Sequence, residues 1–214
     1  MQPDPASDAP PLEPQTEAPS EHQAIRSRLA SPPIIEMDLP TRDLRLTSAW
    51  GLFSARGVDE GTALLLNELA LLPPASRVLD FGCGSGILTC AAARLGASRV
   101  DAVDVDALAV LATEQNVALN GMIEVVHVQQ GTEPPVGEIY DFVVANITAG
   151  ILVSHMEELS AATRPGGVCV LSGIIDSQVA RVEAAIRETT LQVLEIEADG
   201  EWRAIVTTRS APVP

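Results

Sequence analysis

The chain has 214 residues, 46% hydrophobic and 3% aromatic, and its 29 acids against 13 bases give a formal charge of −16. That size suits one domain with a substantial aliphatic core. So acidic a chain repels nucleic-acid phosphates and favours basic partners, and it offers few aromatic rings on which bases could stack. Solubility alone would also account for the acidity. Every basic residue is an arginine, so the chain has no lysine of its own to modify. Cys83, Cys90 and Cys169 are odd in number and irregular in spacing, so neither a disulfide framework nor a zinc site is expected. A reducing cytoplasm fits them. No apolar run approaches the roughly 20 residues that span a bilayer, and the amino-terminal stretch lacks the basic start and apolar core of an export signal.

Residues 1–40 are rich in Pro, Ala, Ser and acids, with only the pair Ile34-Ile35 to suggest order. They read as a disordered acidic tail ahead of a single domain at 41–214. Residues 41–53 suggest a short strand or a cap. Val58 to Leu72 crowds leucines on one helical face, and Pro73-Pro74 stops it. Thr62, near the start of that helix, is placed either to cap it or to reach a ligand beside it.

The organising stretch is Arg77 to Asp104, a βαβ unit whose first turn is Gly82-Cys83-Gly84-Ser85-Gly86. Glycines there let the backbone bend and approach a ligand, and an acid closing the next strand, Asp104, suits ribose hydroxyls. A dinucleotide fingerprint would need its third glycine at position 87, which is Ile87. Instead Asp80, Gly82, Gly84 and Gly86 spell D-x-G-x-G-x-G. This resembles the first motif of class I S-adenosylmethionine (SAM) methyltransferases, which implies SAM as cofactor.

Ala107 to Asn120 has helical spacing and ends at Asn120-Gly121, Ile123 to Val128 reads as a strand, and 131–138 reads as a loop. Phe142 to Ala145 forms a buried strand that ends at Asn146, with a helix opening just after it. Arg164-Pro165-Gly166-Gly167 reads as a tight turn into a strand over Val168 to Leu171 that closes at Ser172-Gly173. A helix over Asp176 to Glu188 and a closing hairpin, Leu191 to Glu197 with Trp202 to Thr208, complete the pattern. The order describes an α/β, doubly wound, Rossmann-like sheet of seven strands of the methyltransferase type, with the last strand antiparallel.

Methyl transfer to nitrogen is an in-line displacement that depends on alignment and desolvation more than on a strong base. No Ser/His/Asp set is in view, and His22, His127 and His155 read as structural or solvated residues. Asn146 stands at a strand's carboxyl end with an amide able to hold a substrate nitrogen, and it can also cap the following helix. The sequence Asn146-Ile147-Thr148-Ala149 has no ring to stack on a base, so an aliphatic or peptide amine fits better.

DFGCGSGIL at 80–88, VDVD at 103–106, VVANITAG at 143–150, LSGI at 171–174 and GEWRAI at 200–205 together resemble the PrmA family. The likeness runs in order from about Gly61 to Arg209. It implies SAM-dependent methylation of amino groups on large-subunit ribosomal protein eleven, and Thr62, Gly82, Asp104 and Asn146 match the family's cofactor-site positions. Family members carry a separate amino-terminal docking module, where here only a tail precedes the catalytic fold. The lead-in Gly51 to Thr62 looks closer to small-domain ribosomal RNA guanine-amino methyltransferases. The expected activity is therefore methylation of a lysine or amino-terminal amine on a basic, ribosomal protein. An RNA guanine amine, a small-molecule amine and a non-catalytic SAM-binding module are the alternatives.

Overall fold

The computed structural model describes residues 34–38, 43–47, 60–69 and 72–211. Most of the segment read as a tail, residues 1–33 with His22, lies outside the described residues, as does most of the lead-in to Thr62. The described part of that segment is ordered backbone. Strand β1 (Ile34–Asp38) pairs antiparallel with β2 (Asp43–Thr47), so the hairpin crosses the boundary placed at residue 40. Leu44 and Leu46 are buried in the main core, which anchors β2 there. Of the two readings of 41–53, a short strand or a cap, the described residues 43–47 form a strand.

Helix α1 (Glu60–Leu69) follows, then β3 (Arg77–Phe81), α2 (Ile87–Arg94), β4 (Arg99–Asp104), α3 (Ala107–Leu119) and β5 (Val126–Gln130). Next come β6 (Tyr140–Asn146), α4 (Ala149–Ser154), α5 (Met156–Ala162) and β7 (Thr163–Ile175). A short 3-10 turn leads into α6 (Val179–Arg187), and β8 (Leu191–Asp199) and β9 (Trp202–Arg209) close the fold. The sheet runs β5-β4-β3-β6-β7-β9-β8, and β9 is antiparallel to both of its neighbours. This is the expected seven-stranded, doubly wound arrangement.

The strands are apolar on both faces because both faces are covered. Val78, Val100, Phe142, Val144 and Val170 face the hairpin, α1, α2 and α3. Their alternates Leu79, Val103, Val143, Ala145 and Leu171 face α4, α5 and α6. In the parallel part of the sheet every strand points its carboxyl end the same way, and that end collects the site residues.

Two stretches differ from expectation. The strand read as Ile123 to Val128 begins at Val126, because the turn after α3 runs on: Met122 N–H bonds back to the Val117 carbonyl, and Val125 and Val126 N–H both reach Met122 O. Ile123 is left 64% exposed, on no strand face. Arg164 to Gly167 is no turn between elements but an outward bulge inside β7, where Thr163 pairs with Tyr140 and Val168 with Phe142. Space decides this. A Cβ on Gly167 would lie 2.9 Å from the carbonyl oxygens of Arg164 and Asp141, so only glycine brings the bulge back against β6. Gly173 likewise marks a second register shift in β7 rather than its end.

Candidate active site

The glycine loop leaves β3 at Phe81 and is held from inside. Gly82 N–H and Cys83 N–H both donate to the Val103 carbonyl, at 2.8 and 3.1 Å, and Gly86 N–H turns back to the Cys83 carbonyl at 2.8 Å. Gly84 N–H donates to Asp104 Oδ2 at 2.9 Å. Four loop donors are therefore spent within the protein. The loop offers a contoured backbone more than a row of phosphate donors, in keeping with the missing dinucleotide glycine.

Gly82, Gly84 and Gly86 all have positive φ, which glycine adopts without strain. Their surroundings differ. A Cβ on Gly82 would overlap Ile147 Cγ2, and one on Gly86 would sit 2.9 Å from the Thr113 side chain. A Cβ on Gly84 would meet nothing within 4 Å, so the loop's open side is there.

Asp104 ends β4 opposite the loop, partly exposed. Its Oδ1 accepts Asp106 N–H at 2.9 Å while Oδ2 takes Gly84 N–H. Both oxygens keep a second lone-pair direction, which suits hydroxyl donors. Asp106 in turn caps α3 by accepting Leu108 N–H at 2.8 Å.

Asp80 lies beneath the loop, 1% exposed. Its Oδ2 accepts the Thr89 hydroxyl at 2.5 Å, while Oδ1 is buried without a hydrogen-bond partner. Burial pushes its carboxyl up to about 7; the Thr89 bond opposes that rise and the nearby Asp104 adds to it. Asp80 therefore supports the loop from below, and burial favours its protonated form.

Asn146 and Thr62 come together from elements far apart in sequence, with Asn146 Nδ2 donating to Thr62 Oγ1 at 2.8 Å. The N-cap of α4 is Thr148, two residues beyond Asn146. Thr62 lies inside the first turn of α1. Ile147, next to Asn146, packs over Gly82 and so joins this pair to the loop. The seven residues expected at the site thus gather around one end of the sheet.

Several residues hold this arrangement without a motif to announce them. Thr113 Oγ1 donates to the Gly84 carbonyl at 3.1 Å, and Asn116 Nδ2 donates to the Ser85 carbonyl at 2.7 Å. Gly173 has positive φ and passes so close to the Ile147 backbone that a Cβ would overlap the Ile147 carbonyl. The only signal for these was helical spacing on α3 and a Ser-Gly pair.

Other chemistry finds little support among the described residues. Cys83, Cys90 and Cys169 are unpaired, and burial raises all three thiols, so none is poised as a thiolate. No group of three or more His, Cys, Asp or Glu side chains there is placed to hold a metal ion. His155 packs its ring edge against Phe81, with centroids 5.4 Å apart, and His127 is exposed on β5. No described helix is long and apolar enough to cross a membrane.

A family model, Ribosomal protein L11 methyltransferase (PrmA), matches residues 55–210. The ribosomal protein L11 methyltransferase of Vibrio cholerae serotype O1 is 39% identical over 153 residues, covering 71% of this chain and 52% of that protein. The one from Listeria monocytogenes serotype 4a is 35% identical over 162 residues, 74% of this chain and 52% of its own length. The chain thus spans about half the length of these curated relatives. Among solved structures, a ribosomal protein L11 methylase from Lactobacillus delbrueckii subsp. bulgaricus matches with TM-score 0.66 and 28% identity, over 82% of this chain and 99% of that one. The T. thermophilus 16S rRNA N2 G1207 methyltransferase RsmC, solved with AdoMet and guanosine, matches with TM-score 0.68 at 23% identity over 85% of this chain and 51% of that one, a likeness of fold alone. With the family model spanning the glycine loop, Asp104, Asn146 and the closing hairpin, the chain belongs to the ribosomal protein L11 methyltransferase (PrmA) family.

Proposed function

We propose that the chain is a SAM-dependent N-methyltransferase whose acceptor is an amine on a basic protein, a ribosomal protein such as L11 first among them. One observation carries the reading: the glycine loop, Asp104 and the Asn146–Thr62 pair converge at the carboxyl end of a doubly wound sheet. The residues present fit the cofactor. The loop is open at Gly84 and tightly packed at Gly82, and Asp104 has the acceptor geometry for ribose hydroxyls. The transferase domain is residue 41 onward together with the strand at Ile34–Asp38, and a reducing cytoplasm suits its three unpaired cysteines.

When bound, SAM supplies a methyl group already activated on a positively charged sulfur. The chain's own residues then have three tasks. Asp104 and the loop hold the nucleoside end in place. The Thr62 bond orients the Asn146 amide beside the glycine loop, where it helps to align the acceptor nitrogen. Buried Phe81 and half-buried Ile147 supply apolar surface on this side of the site. A protonated acceptor must lose its proton before transfer.

Charge supports a protein acceptor over RNA. Residues 41–214 hold 22 acids and 11 arginines, a formal charge of −11, which opposes a phosphate backbone and attracts a basic protein. Incubation with methyl-labelled SAM and separated ribosomal components tests this. Label in a basic ribosomal protein supports the reading, and label confined to RNA overturns it.

A further inference from the structure

Strand β2 is attached to helix α3 in the way a strand attaches to a strand. Asn116 Oδ1 accepts Thr47 N–H at 2.6 Å and Asn116 Nδ2 donates to the Thr47 carbonyl at 2.8 Å. Four residues on, Asn120 Oδ1 accepts Arg45 N–H at 3.2 Å and Asn120 Nδ2 donates to the Arg45 carbonyl at 2.7 Å. The spacing explains the fit. Four helical residues advance about 6 Å and two strand residues about 6.8 Å, so two side-chain amides at i and i+4 can face alternate residues of an extended chain.

Asn116 does more than receive the strand. It is 0% exposed, and its amide has two donor hydrogens and two acceptor lone pairs. The Thr47 N–H and, at 3.0 Å, the Thr47 hydroxyl occupy the acceptors. One donor goes to the Thr47 carbonyl, and the other goes to the carbonyl of Ser85 in the glycine loop, at 2.7 Å. Every hydrogen bond of this side chain is made either to β2 or to the loop. Thr113, one turn earlier on the same helix face, holds the neighbouring Gly84 carbonyl.

We infer that Asn116 is a positioning residue that couples docking of the β1–β2 hairpin to the conformation of the ligand loop. With the hairpin seated, the Asn116 amide is fixed and draws the Ser85 carbonyl into α3, which keeps the loop's open side turned toward the ligand. With the hairpin loosened, a buried amide loses three partners at Thr47 and its hold on Ser85 weakens. Any event that pulls on the amino-terminal segment is thereby transmitted to the loop. The mechanical link stands on the geometry alone; its effect on affinity rests on the SAM reading above.

The test uses the full chain and begins without ligand. Asn120→Ala removes the second anchor of β2 and keeps every hydrogen bond of the Asn116 side chain; it also deletes the Asn120 Nδ2 bond to the Asn116 carbonyl at 2.8 Å and the Arg94 contact at 3.4 Å, both away from the loop. Hydrogen–deuterium exchange should quicken at residues 43–47 and also at the loop, residues 82–86, by about three- to tenfold, the factor that one lost hydrogen bond commonly produces. In an Asn116→Ala background, Asn120→Ala should add nothing at the loop. Faster exchange in β2 with an unchanged loop overturns the proposal, and that single variant decides it even if Asn116→Ala fails to fold. SAM titration then reads affinity. A weakening of about three- to tenfold in Asn120→Ala that vanishes in the Asn116→Ala background supports the coupling. Equal affinity of wild type and Asn120→Ala refutes its transmission to the ligand. Loop loosening in Asn120→Ala together with a wild-type protein that binds no SAM would leave the coupling standing and remove the cofactor assignment.

Discussion

The Asn146 amide donates to the Thr62 hydroxyl at 2.8 Å across 84 positions of sequence, joining the end of β6 to the first turn of α1. The bond fixes which way the proposed substrate-facing amide points. It also brings α1 against the candidate site.

Thr62→Val keeps the shape and deletes the acceptor. SAM affinity should change little, while kcat/KM for methyl transfer should fall about three- to tenfold, the usual effect of one orienting hydrogen bond. Asn146→Ala should cost more. Radiolabel transfer with both variants checks the order, and a Thr62→Val enzyme with wild-type kcat/KM would remove the orienting role.

Asp104→Ala deletes an acceptor for Gly84 N–H and for Asp106 N–H along with the proposed ribose contact. SAM binding should weaken by about 1–3 kcal/mol, as for a hydrogen bond to a charged group. Calorimetric titration measures it directly, and unchanged affinity would mean that the acid holds no ligand.

Asp80 gives a pH signature of stability. Its carboxyl sits near 7 in the folded chain, against an ordinary value of 3.8, because burial disfavours the charge. The native state therefore holds a proton that the unfolded chain releases, so the contribution is full below about pH 4 and is lost as pH rises through 7. Between pH 5 and 8 the wild type should lose on the order of 2–3 kcal/mol relative to Asp80→Asn. Urea unfolding of both proteins across that range supplies the comparison, and parallel curves would contradict the burial argument.

Gly82→Ala and Gly84→Ala separate two costs. Both positions have positive φ, but only at Gly82 does the new methyl meet Ile147. Gly84→Ala should destabilise by about 1–2 kcal/mol from backbone strain alone, and Gly82→Ala by distinctly more. Denaturant midpoints that rank them the other way would show that the loop packs differently.

The sheet was legible in the sequence because its strands are buried on both faces and read as unbroken apolar runs, as Phe142 to Ala145 does. The loop residues were legible because a tight backbone bend demands glycine. What stayed hidden was decided by neighbours distant in sequence. Arg164 to Gly167 has the composition of a turn, and only the β6 carbonyl behind Gly167 makes it a bulge. Asn120 looks like an ordinary helix end beside Gly121, yet it bonds both backbone groups of Arg45, 75 residues upstream. Asn116 has no motif because the strand and the loop that it joins lie 69 and 31 residues away. The segment read as a tail held too few apolar residues to reveal a strand whose partner supplies the buried leucines.

The antiparallel strand β9 occupies an interior slot, yet it follows both of its flanking strands in the chain. During vectorial synthesis β7 must wait with one hydrogen-bonding edge vacant until Trp202–Arg209 has emerged and reversed direction beside it. A released chain ending at Glu201 would present that vacancy, including the backbone of Cys169 to Leu171, to any extended segment nearby. Completion of this sheet is therefore a zipper closed from the middle.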